Sequence, residues 1–90
     1  MMDRYTRAFA DHRYLWRQYG PAKDMTGGYV DQDDLEAMLA NPTKAEAVKC
    51  LERQIGYWFD VGPDDGQSPR ILAATDPRIS EIAERYGASL

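Results

Sequence analysis

Tyr57-Trp58-Phe59-Asp60-Val61-Gly62-Pro63-Asp64-Asp65-Gly66-Gln67-Ser68-Pro69-Arg70-Ile71-Leu72-Ala73-Ala74 is the stretch on which the fold of this 90-residue chain turns. Its first five residues are rich in strand formers and follow Gly56, a residue able to end a helix. Residues 62–69 are dense in turn residues, and residues 70–74 read as a return strand. The expectation is a two-stranded hairpin. A second reading stays open. Trp58 continues a helical spacing from Ile55, and residues 70–74 can form a short helix with Ser68 as cap and Pro69 at its first position.

Upstream, Thr43-Lys44-Ala45-Glu46 fits the capping-box pattern and starts a helix expected to end near Gly56. Its Thr43 cap would contribute on the order of 1 kcal/mol. Val48, Leu51 and Ile55 face inward with Ala47 beside them, and Ala45, Glu46, Lys49 and Arg53 face outward. Before it, a helix is expected to start after Asp31 and run to about Ala40. Val30 and Leu35 can staple its start, Asp33, Asp34 and Glu36 suit its first turn, and Leu35, Met38 and Leu39 form its buried side. Asn41-Pro42 ends it, and residues 21–28, with Gly27-Gly28, form a loop.

The flanks are helical too. Tyr5, Phe9, His12, Trp16 and Tyr19 recur at helical spacing over residues 3–19, with Ala8 and Leu15 widening the stripe. Asp3 caps that helix, and Gly20-Pro21 stops it. Arg7, Ala10, Tyr14 and Arg17 occupy its other face. At the far end Asp76 caps a last helix, Pro77 opens it and Gly87 follows it, with Ile79, Ile82, Ala83 and Tyr86 apolar.

Helix, turn, helix and hairpin over residues 30–74 make a mainly α fold with a small β-hairpin (α+β). The whole is a single domain over residues 1–90, with four helices and a two-stranded wing. An aromatic and basic helix over 1–20 precedes a body over 30–86. Leu51-Glu52-Arg53-Gln54-Ile55-Gly56-Tyr57, followed by the tip Gly62-Pro63-Asp64-Asp65-Gly66-Gln67, resembles winged helix-turn-helix regulators of the MarR type. That resemblance implies a DNA-binding transcriptional regulator, probing the major groove with the helix that carries Lys49 and Arg53, as a dimer. In that family basic residues adjoin the acidic wing tip, whereas Gln67 and Ser68 stand here and Arg70 lies further on.

Composition narrows the function. Net charge is −4 with a pI near 4.8, which argues against a general nucleic-acid binder. Residues 1–23 carry five basic and two acidic groups, and residues 24–65 carry three basic and ten acidic groups. Nothing approaches the ~20 apolar residues of a membrane helix, and the first residues lack the apolar run of an export signal. With Cys50 the sole cysteine, a cytoplasmic location is the expectation and no membrane partner is anticipated.

No residue cluster names a reaction. Cys50 and His12 could act together only if they touch, and nothing in the sequence joins them. One Cys and one His do not make a zinc site. Asp31, Asp33 and Asp34 lack the calcium-loop pattern, and the acids after Gly27-Gly28 would repel a phosphate. No enzyme activity, metal or cofactor is therefore expected. The candidate contact residues are Lys49, Arg53 and Arg70, with Arg7, Tyr14 and Arg17 on the first helix. The expected function is a small regulator or adaptor that binds a protein partner or a second copy of itself through a helix-turn-helix-like scaffold, of the kind a phage or mobile element encodes. DNA binding is the alternative.

Overall fold

The computed structural model describes residues 3–21, 36–37, 40–41, 43–64, 66–88 and 90. Four helices are resolved among them: α1 (Arg4–Tyr19), α2 (Lys44–Val61), α3 (Pro69–Thr75) and α4 (Pro77–Arg85). The expected cap at Asp31, the Val30–Leu35 staple, the Gly27-Gly28 loop, and Met38, Leu39 and Pro42 lie outside the described residues. Of that expected second helix, Glu36 and Ala37 are helical, and the Ala40 N–H donates to the Glu36 carbonyl at 3.1 Å.

The expected wing is not a hairpin. No strand occurs among the described residues, and residues 57–61 continue α2 while residues 70–74 belong to α3. The reason is the period of burial. Ala47, Val48, Leu51, Ile55, Trp58 and Phe59 are all buried on α2, at steps of one, three and four that trace one helical stripe. Trp58 and Phe59 are adjacent, and a strand would send them to opposite faces. As a helix, both enter the core, where their rings meet edge to face at 5.0 Å. Tertiary burial overrides the strand propensity of Tyr57 to Val61. The second reading of residues 69–74 matches α3: Ser68 Oγ accepts from the Arg70 N–H at 3.2 Å and Pro69 opens the helix.

Gly56 therefore lies inside α2, and Gly62 ends it. Gly62 has φ 86°, and its N–H donates to the Trp58 carbonyl at 2.7 Å. That left-handed backbone favours glycine. Thr43 does not form the expected capping box. Its side chain makes no cap bond to α2. Asn41 Oδ1 takes both the Thr43 N–H (3.0 Å) and its hydroxyl (2.8 Å) instead, a local side-chain competition that draws the cap away from the helix.

α1 lies along α2, and the two point the same way. Ala8 meets Ala47 and Leu51, and Leu15 joins Ile55 and Trp58 further along. The Asp64 N–H then reaches the Pro21 carbonyl at 2.9 Å beyond both helix ends. Leu72, Ile79, Ile82 and Ala83 of α3 and α4 complete the larger core cluster.

α1 starts and stops where its sequence says. Asp3 Oδ1 accepts from the Thr6 N–H at 2.7 Å, and Gly20 (φ 82°) sends its N–H to the Trp16 carbonyl at 2.9 Å. Its buried face is Ala8, Asp11, His12 and Leu15, rotated from the aromatic stripe so that Tyr5, Phe9, Trp16 and Tyr19 sit half-buried at its edges. Tyr14, expected on the outer face, is half-buried against the main core.

Candidate functional site

Three polar junctions hold the helices and decide which charges remain at the surface. The deepest is Asp11, 3% exposed, whose Oδ1 accepts from Arg85 Nη1 at 2.8 Å and whose Oδ2 accepts from the Tyr86 hydroxyl at 2.9 Å. A buried carboxylate needs such partners. Burial, with the bond to Asp11, pushes the Tyr86 hydroxyl well above the ordinary tyrosine pKa.

The second junction is Asp76, which joins three helices. Its N–H ends α3 on the Leu72 carbonyl at 2.7 Å, and its Oδ1 caps α4 by accepting from the Arg78 N–H at 3.0 Å. Its Oδ2 accepts from the hydroxyls of both Tyr14 and Tyr19 on α1, the latter at 2.9 Å. The bond from Tyr14 is the main reason the Asp76 carboxyl lies below the usual range. Burial, helped by Asp76, raises Tyr19 to about 12. Arg78 stacks over the Tyr14 ring at 4.1 Å.

At the third junction Arg4 grips Glu52 with Nε and Nη2, the latter at 2.7 Å from Oε2. The hydrogen bond to Glu52 raises the pKa of Arg4. Beside it Lys44 lies over the Tyr5 ring at 5.4 Å, and Arg13 over Phe9 at the same distance.

With Arg4, Arg13, Lys44, Arg78 and Arg85 engaged in this way, the cations with no ion pair or ring contact among the described residues are Arg7, Arg17, Lys49, Arg53 and Arg70. All five are exposed. Every candidate arginine and lysine named from the sequence is among them. Tyr14 differs, since its hydroxyl is spent on Asp76 and its ring on Arg78.

Lys49 and Arg53 stand one helical turn apart on the outer side of α2, and three shallow grooves run along that side. One of about 400 Å³ lies between the starts of α1 and α2 and ends at Lys49. The next, about 500 Å³, runs from Lys49 to Arg53 past Cys50. A third, about 350 Å³, runs from Arg53 past Gly56, Tyr57 and Asp60 to Tyr86 and Ala88. Each cation is thus shared by two adjoining grooves. Glu46 and Asp60 are the exposed acids on the same helix. Arg7 and Arg17 lie on α1 and Arg70 on α3, apart from this line.

The thiol and the imidazole line different spaces. Cys50 is half-exposed in the middle groove. His12 is buried, lines a small cavity under Trp58, and has its pKa lowered to about 4 by burial. Among the described residues, no group of three His, Cys, Asp or Glu side chains could hold a metal ion, and no helix is long and apolar enough to cross a membrane. Asp31, Asp33, Asp34 and Asp65 lie outside the described residues.

Sequence reasoning missed Asp11 and the Arg4–Glu52 pair. Asp11 had a signal: it sits three residues after Ala8 and four before Leu15, on the apolar face itself. Glu52 had none, since its partner is 48 residues away. No family model, curated protein or solved structure matches the chain. The likeness to MarR-type regulators therefore rests on the residues that suggested it, without the wing.

Proposed function

We propose that this chain is a small binding protein, a regulator or adaptor, that docks an acidic surface of another protein on the outer face of α2, with Lys49 and Arg53 at its centre. The observation that carries this reading is the sharing of those two cations, which have no ion pair or ring contact among the described residues, by adjoining grooves on α2. An exposed cation whose charge is not met by another described residue remains able to attract a partner's carboxylates. The half-buried Tyr57 ring and the aliphatic stems of Lys49 and Arg53 add contact area beside the charges. DNA binding is the weaker alternative. Arg70 lies on α3 rather than on a wing, and the net charge of −4 opposes approach to phosphates.

Affinity capture with the full chain, identifying both protein and nucleic acid, tests the reading. A protein with an acidic contact surface is expected. The double variant Lys49→Glu/Arg53→Glu should bind it at least about tenfold more weakly, because like charges then face each other. The wild-type complex should also weaken as salt rises. Unchanged affinity in the double variant, or selective capture of a DNA sequence in place of a protein, would reject the proposal. Circular dichroism of the variant guards against misfolding as the cause.

A further inference from the structure

Among the described residues, two nitrogens on facing helices are buried with no hydrogen-bond partner: Nδ1 of His12 on α1 and Nε1 of Trp58 on α2. Their side chains are 7% and 3% exposed. Buried polar atoms in folded proteins nearly always find a partner, whether protein or ordered water. Both side chains line one cavity of about 10 Å³ between α1 and α2, walled otherwise by Leu15, Ile55 and the half-buried Gln54 among its neighbours.

The two atoms are chemically complementary. An indole N–H can only donate, and a neutral imidazole with its proton on Nε2 offers Nδ1 as an acceptor. Burial favours the neutral imidazole at pH 7. Yet the donor and the acceptor do not bond to each other. A molecule satisfying both must accept on one side and donate on the other. A space of about 10 Å³ is at the threshold for a single water and too small for anything larger.

We propose that this cavity is a binding site for one structural water, which accepts from Trp58 Nε1–H and donates to His12 Nδ1. The Gln54 amide on the cavity wall is the candidate for its third bond. The site gives a direction-dependent link to a helix contact that Leu15 and Ile55 make by shape alone. It thereby fixes how α1 sits against α2, since a shift of either helix would strand both nitrogens. His12 and Trp58 then act as positioning residues of the scaffold, independent of what docks on the outer face of α2.

Nuclear magnetic resonance on the unmodified, ¹⁵N-labelled chain tests this directly. The Trp58 indole proton should show a cross-peak to water with the sign of a long-lived bound molecule. The ¹⁵N shifts of His12 should report the tautomer protonated at Nε2. His12→Leu, which keeps the indole reporter and removes the acceptor, should then abolish the bound-water cross-peak of Trp58. An indole proton bonded directly to another group of the chain, an indole proton with no water cross-peak, or a proton resident on His12 Nδ1 would each overturn the proposal. These readings use the wild-type chain, so they stand even if the variant folds poorly.

Discussion

Replacing Gly56 with alanine should stabilise the protein, and the sign of that change tests the fold itself. Gly56 sits in the interior of α2 with an ordinary helical backbone, and a Cβ built on it meets no atom within 4 Å. The substitution therefore adds neither a clash nor a packing contact. What remains is the backbone term. Alanine is favoured over glycine in a helix interior by about 0.8–1.0 kcal/mol, chiefly because glycine loses more freedom on folding. For a domain of this size, 1 kcal/mol corresponds to a rise in Tm of roughly 4–8 °C. Thermal melts followed by circular dichroism, with urea titrations at pH 7, measure it, and an unchanged m-value would show that only stability moved. Had the helix ended at Gly56 with a left-handed residue, the same change would have cost stability. Gly62→Ala is the control of opposite sign. At φ 86° and ψ 175° its Cβ would lie 3.3 Å from both the Gln67 carbonyl oxygen and Pro69 Cδ, and a non-glycine residue in that backbone region costs about 1–3 kcal/mol by itself. A destabilised Gly56→Ala protein would refute the continuous α2 helix.

Asp11→Ala should cost on the order of 2–4 kcal/mol in urea unfolding, because it leaves Arg85 and the Tyr86 hydroxyl without their buried acceptor; a loss below 1 kcal/mol would mean that water replaces the carboxylate. Stability should also fall on acidification from pH 7 to pH 5. His12 is held neutral in the fold with its pKa lowered to about 4, while the unfolded chain takes up the proton near pH 6.5. The stabilisation is present above 6.5 and is lost as pH falls through 4, on the order of 2 kcal/mol by pH 5. Unfolding free energies across that range check it, and His12→Phe should flatten the slope; a flat wild-type profile would contradict the burial. Below pH 4 a further loss is expected as Asp76 and Asp3, whose folded pKa values are depressed, take up their protons, and Asp76→Asn should shrink that lower limb in the same titration.

Much of this architecture is visible in the chain. Asp3 and Gly20 mark the ends of α1, and Asp76 with Pro77 marks the start of α4, because caps are local chemistry and need only near neighbours. Lys49 and Arg53 could be placed on the outer side of α2 from the period of Val48, Leu51 and Ile55 alone. The errors fall where neighbours in sequence and neighbours in space give opposite answers. Tyr57-Trp58-Phe59 looks like a strand to any local measure. Only the core formed with Leu15, Leu72 and Ile79 makes the helix the lower-energy choice. Thr43 fits the capping pattern, but Asn41 two residues earlier takes its hydroxyl. Tyr14 looked free because its partner, Asp76, is 62 positions away. The cavity beneath Trp58 has no sequence signature, since it is what facing side chains fail to fill.

One carboxylate at the α3–α4 joint receives two phenols from α1, and this gives the last third of the chain a collective fate. Amide protons in α3 and α4 should exchange with solvent at a common rate, as one opening unit. The shared clasp at Asp76 leaves neither helix able to detach while the other stays docked. A protease arriving at that joint would then find either a sealed C-terminal pair or a wholly released one, with little between.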